Sequence, residues 1–109
     1  MTFDEYQEKA KNTALYPEIG KRFVYPALGL VNEAGEVAGK IKKIFRDEDG
    51  ILTDKKKEEL KYELGDVLWY LSSLAGELGI SLKDIAKTNI AKLQSRKERG
   101  KIKGDGDYR

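Results

Sequence analysis

A chain of 109 residues, 39% hydrophobic and 37% charged, is the size of one domain, and a net charge of +2 excludes a general polyanion binder. It has no cysteine and no histidine, which excludes disulfides, the usual zinc sites, a thiolate nucleophile and an imidazole base. No apolar run approaches the roughly 18 residues of a membrane span and no signal-peptide pattern opens the chain, so a cytoplasmic location without membrane partners is expected.

Thr2 to Ala14 is predicted as a first helix, opened by a capping box of Thr2 and Glu5. Phe3, Tyr6 and Ala10 give it an apolar face, and Gln7 and Lys11 flank that face as solvent-exposed positions. Leu15 to Val24 is a connection with Pro17 and Gly20, carrying Tyr16, Lys21, Arg22 and Phe23. Aromatic and basic residues on one loop suit a base and a phosphate, or they pack the loop onto the bundle; packing is the expectation for Phe23.

A long helix begins near Tyr25, with Pro26 in its first turn, where a missing N–H is harmless. Its apolar stripe is Ala27, Leu30, Ala34, Val37, Ala38, Ile41, Ile44 and Phe45. Gly29, Gly35 and Gly39 interrupt it, each at a cost of up to about 1 kcal/mol relative to Ala, which predicts close approach by a neighbouring helix or ligand. Lys40, Lys42, Lys43 and Arg46 suit the negative end of the helix dipole.

Asp47 to Thr53 is a polar turn that lacks the ligand pattern of a calcium loop. Thr53 or Asp54 caps a second long helix ending at Gly79. Its stripe is Leu60, Leu64, Val67, Leu68, Leu71, Leu74, Ala75 and Leu78; Trp69 falls on the far side, which points to a subunit interface.

Ser81 to Lys97 is a fourth helix, with Ser81 and Asp84 as a capping box and Leu82, Ile85, Ala86, Ile90 and Leu93 as its stripe. Asn89 falls within that stripe and calls for a partner, because an unpaired buried amide costs about 1–3 kcal/mol. Lys92 and Arg96 follow on the same face. The expected organisation is a domain over residues 1–99 and a flexible basic, Gly- and Asp-containing tail over 100–109.

The two long helices each carry one acid pair at i,i+3: Glu33 and Glu36, then Glu63 and Asp66. Both pairs lie about 110° to the same rotational side of their apolar stripe. A short turn makes the helices antiparallel, which places both pairs on one side of the hairpin. Glu33 with Asp66, and Glu36 with Glu63, are equidistant from a turn centred at Asp49–Gly50. Four carboxylates beside one seam suit a hard divalent cation with oxygen ligands. The plainer reading is a solvated flank, with Glu36 and Lys40 as an i,i+4 surface pair. In this position Tyr70, one turn beyond Asp66, either stacks a base or shields the seam.

The pattern Glu33-x-x-Glu36, 26 residues, Glu63-x-x-Asp66 resembles the MazG-like nucleoside triphosphate pyrophosphohydrolases. Leu30-Val-Asn-Glu-Ala-Gly-Glu36, Glu63-Leu-Gly-Asp-Val-Leu-Trp-Tyr70, Phe3-Asp-Glu-Tyr-Gln7 and Asn89-x-x-Lys92-x-x-x-Arg96 carry the resemblance, which covers residues 2–99. It implies an all-α, four-helix bundle-like fold, assembled as a homodimer or homotetramer. It implies hydrolysis of a nucleoside triphosphate to monophosphate and pyrophosphate, a reaction suited to nucleotide-pool cleansing. Glu33, Glu36, Glu63 and Asp66 are the implied catalytic residues and ligands of Mg²⁺, or of Mn²⁺ in its place. Asn89, Lys92 and Arg96 are implied near the phosphates, with Tyr70 and Lys21 as further substrate-binding candidates.

An alternative comes from Leu78 to Ala86, which reads like a helix-turn-helix junction ahead of a basic helix and would make the chain a DNA-binding module. Against it, Leu82, Ile85 and Ile90 sit where base contacts would be wanted, so a nucleic-acid partner is not expected. A bare dimerisation module is a third reading. Nothing in the sequence fixes base or sugar preference.

Overall fold

The structure, a computed structural model, describes all residues from Met1 to Arg109. It is all-α: α1 (Phe3–Lys11), α2 (Val24–Asp47), α3 (Asp54–Glu77) and α4 (Leu82–Glu98). Side chains start three of the helices: the Thr2–Glu5 box opens α1, Thr53 accepts the Lys56 N–H ahead of α3, and Ser81 accepts the Asp84 N–H ahead of α4. The first helix stops at Lys11, three residues short of the expected Ala14. Asn12 caps it, and the Thr13 hydroxyl turns back onto the Ala10 carbonyl at 2.8 Å.

The α2–α3 hairpin organises the molecule. Its turn places Asp49 (φ 53°) and Gly50 (φ 75°) in the left-handed region, with the Phe45 ring against Gly50. From there the two helices run back in mirror register. Lys40 meets Glu59, the Tyr70 ring lies on Gly29, and Arg22, just ahead of α2, meets Glu77. Each of these pairs is equidistant from the Asp49–Gly50 turn.

Helix α1 packs on α3 and α4, while α4 touches α1 and α3 but not α2. The expected solvent role of Gln7 is overturned: its amide accepts from the Leu82 N–H at 2.9 Å and donates to the Ile80 carbonyl at 3.1 Å, clamping the turn into α4. Trp69 is corrected too. Its indole N–H donates to the Thr13 hydroxyl at 2.8 Å, and its ring meets Tyr16 and Tyr70 edge-on. The connection ahead of α2 covers this side of α3, so Trp69 is half-buried within its own chain. Phe23, by contrast, is 42% exposed and does not anchor that connection.

The helices leave much apolar surface uncovered. The accessible surface is 8285 Å², against about 6,100 Å² for a compact 12.3 kDa monomer. The radius of gyration is 16.9 Å, against about 13 Å for a compact chain of this length. Leu28, Val31 and Phe45 of α2 and Tyr62 and Leu64 of α3 stay exposed. Several residues of the predicted stripes, among them Phe45, Leu64 and Ile90, thus stay more than half exposed. Of the three glycines expected to mark close approach only Gly29 does; Gly35 and Gly39 face open space. Asn89, expected to be buried with a partner, is exposed because α4 covers only its first turns against α1 and α3.

Candidate metal centre

Mirror register carries Glu33 of α2 to Asp66 and Glu63 of α3. One carboxylate oxygen from each lies within 4.8 Å of the others. Glu33 and Glu63 are half-buried and Asp66 is exposed. Glu36 is exposed and outside this group, one turn further along α2. Its charge still reaches the site. Burial raises the Glu33 carboxyl above its ordinary value, and the charges of Asp66, Glu63 and Glu36 raise it further.

The surface pair between Glu36 and Lys40 that the plainer reading offered does not form. Lys40 reaches across the seam instead, with its ammonium 3.7 Å from Glu63 and 3.9 Å from Glu59. At a third exposed, this is a weak, screened ion pair that a stronger cation displaces readily.

The donor set fits a hard divalent ion. All three donors are carboxylate oxygens, and no thiolate or imidazole exists in the chain to attract zinc. Opposite oxygens on one Mg²⁺ lie about 4.2 Å apart. The observed spread therefore closes onto an ion by small side-chain rotations.

The group has an aromatic rim. Burial raises the Tyr70 hydroxyl, with Tyr25 and the Glu33 charge adding to it. Burial, and the charge of Asp66, raise the Tyr6 hydroxyl of α1. Tyr16 stacks on Tyr25 at 5.4 Å. Along α3 the succession Glu63, Asp66, Tyr70, Ser73 and Glu77 occupies one face at i,i+3 and i,i+4 steps. That face leads from the acids to a cavity of about 580 Å³ lined by Gln7, Lys11, Tyr16, Arg22, Ser73 and Glu77, among others. At its end Glu77 accepts from the Tyr16 hydroxyl at 2.7 Å and from Arg22 at 3.1 and 3.2 Å. These donors hold Glu77 below its ordinary value, while burial and the Glu77 contact push Tyr16 up to about 12.

Within one chain the fold thus assembles Glu33, Glu63, Asp66 and Tyr70. It does not bring Asn89, Lys92 or Arg96 to them, since α4 makes no contact with α2. Lys92 is half-buried and Arg96 buried, both against residues 106–107 of the folded-back C-terminal segment. Lys21 is exposed on the connection. Sequence reasoning missed Lys40 as a site residue and the Tyr16–Arg22–Glu77 cluster. The signal was present: Lys40 and Glu59, like Arg22 and Glu77, obey the same mirror rule as the acids.

The family model for the MazG nucleotide pyrophosphohydrolase domain matches residues 26–100, which includes all four acids of the hairpin. The chain belongs to the MazG family. It is 47% identical over 114 aligned residues to the Gene 37 protein of Mycobacterium phage L5, with all of both chains covered. It is 35% identical over 99 residues to the uncharacterized protein YvdC of Bacillus subtilis (strain 168), covering 86% of this chain and 88% of that protein. No solved structure matches it. The family points to nucleotide pyrophosphohydrolase activity, and no helix is long and apolar enough to cross a membrane. No observation favours the DNA-binding alternative.

Proposed function

We propose that this MazG-family chain hydrolyses a nucleoside triphosphate between its α and β phosphates, releasing a monophosphate and pyrophosphate, with Mg²⁺ as cofactor. The observation that carries the reading is the convergence of three carboxylates from two helices within 4.8 Å, inside the matched domain. Glu33, Glu63 and Asp66 hold the cation, with Glu36 completing the set when its side chain swings in. The cation supplies neutralisation of phosphate charge and activation of a water for in-line attack.

The chain's own groups then have distinct parts. Glu33, through the carboxylate oxygen left free of the cation, takes the proton of the attacking water. Lys40 offsets the charge of Glu63 and Glu59 beside the cation. Tyr70, fixed over Gly29, offers an apolar wall beside the reacting phosphate. The cations of α4, from this chain or from a second copy, offset the charge of the leaving pyrophosphate. A second copy also covers the exposed α2 surface around Leu28 and Val31, giving the homodimer or homotetramer proposed here.

The test is pyrophosphate release from a panel of nucleoside triphosphates with Mg²⁺, with excess chelator, and with Asp66→Asn. Release should need the metal and vanish in the variant. Full activity in chelator, or in Asp66→Asn, would contradict the reading. Clearing unwanted triphosphates from the nucleotide pool is the biological role this chemistry suits.

A further inference from the structure

The C-terminal segment ends on α4 in a specific way. Arg96 is 5% exposed, and its Nη2 donates to the carbonyls of Gly106 at 3.3 Å and Asp107 at 2.8 Å. Its Nε is buried and has no partner. The Asp107 carboxylate lies 3.6 Å from the Lys92 ammonium and 3.8 Å from Arg96 Nη2. The segment is closed on itself: Arg99 donates to the Arg109 carbonyl, and Arg109 donates to the carbonyls of Lys101, Ile102 and Gly106.

Two cations at i,i+4 on one helix repel, and together they form an anion site. A guanidinium with an idle buried N–H is built for a bidentate oxyanion, and carbonyl dipoles satisfy only part of it. The group that straddles the two cations is a single carboxylate, 82% exposed, whose ion pairs are therefore weak. The family match stops at residue 100, so this strap lies beyond the shared domain.

We propose that residues 104–109 are an autoinhibitory strap. In it Asp107 stands in for a phosphate, and the strap must leave before Lys92 and Arg96 can bind the di- or triphosphate group of a nucleotide or the pyrophosphate product. The inference rests on the pyrophosphohydrolase reading for its physiological ligand. The site itself rests only on the geometry of α4. A polyphosphate brings more charge and more acceptors than one carboxylate, so it displaces the strap at moderate concentration and opens its own site.

The test is calorimetric titration of inorganic pyrophosphate, and of tripolyphosphate, in excess chelator, where the bare acid group repels both. Three proteins are compared: the full chain, the chain ending at Lys103, and Asp107→Asn. Truncation should tighten binding about tenfold, and Asp107→Asn about threefold, as expected for removing a weak competing anion with and without its carbonyl contacts. Lys92→Met in the shortened chain should return binding to the weak level. Should the shortened chain fail to fold, Asp107→Asn keeps the main-chain contacts and decides alone. Unchanged or weaker binding in the folded variants overturns the strap. If nucleoside triphosphates are hydrolysed while these affinities stay level, the strap fails and the pyrophosphohydrolase reading stands. If the affinities rise and no triphosphate is hydrolysed, the strap stands and that reading fails.

Discussion

Gly29→Ala tests whether the hairpin register is set by the seat of Tyr70. A Cβ built at residue 29 overlaps the Tyr70 ring, whereas at Gly35 it meets nothing within 4 Å. Helix propensity alone favours Ala over Gly by about 1 kcal/mol at both positions. At residue 29, overpacking opposes this with about 1–3 kcal/mol, because Tyr70 is braced by Tyr25 and Trp69 and cannot simply turn away. The net expectation is a loss of about 1 kcal/mol for Gly29→Ala and a gain of up to about 1 kcal/mol for Gly35→Ala. In a domain this size the two variants should therefore melt roughly 8–16 °C apart. Circular dichroism melts at one fixed protomer concentration provide the measurement. A double-mutant cycle isolates the cause: in a Tyr70→Ala background, Gly29→Ala should become neutral or stabilising. Equal melting of the two glycine variants, or a Gly29 penalty that survives removal of Tyr70, would refute the reasoning.

Glu77→Gln should lower stability by about 2 kcal/mol at neutral pH, since it weakens charge-assisted hydrogen bonds from Tyr16 and from a half-exposed Arg22. Because the folded state holds the Glu77 carboxyl below its ordinary value, that contribution is present above the unfolded pKa and is lost as pH falls through the folded one. Urea unfolding of wild type and Glu77→Gln should accordingly converge between pH 7 and pH 3, and a constant gap would count against the contact. Light scattering at micromolar concentration should give a multiple of the 12.3 kDa chain mass, and Val31→Asp should reduce it. An active species near 12.3 kDa would contradict the proposed assembly.

Much of this was legible because one rule governs the hairpin. The i,i+3 spacing of Glu33 with Glu36 and of Glu63 with Asp66, plus a short turn, is enough to put the acids on one side at matching heights. The same rule applied to every charged residue would have found Lys40 with Glu59 and Arg22 with Glu77. What spacing could not show is how far each carboxylate reaches, which is why Glu36 stands outside the observed group. The stripes misled wherever periodicity was equated with burial. Phe45 and Leu64 belong to apolar faces, but one chain has too few helices to cover them. Trp69 and Gln7 were misjudged for a related reason. Their partners are Thr13 and Ile80 in the connections and Leu82 at the very start of α4, and helical periodicity does not describe the path the chain takes there.

The most direct test of the central claim is phosphorus NMR of the products formed from the common ribo- and deoxyribonucleoside triphosphates in Mg²⁺, with Glu33→Gln as the inactive control. The account predicts inorganic pyrophosphate and a nucleoside monophosphate from at least one substrate, in equal amounts, and neither from Glu33→Gln. Orthophosphate with a nucleoside diphosphate, or pyrophosphate from Glu33→Gln at the wild-type rate, would contradict it.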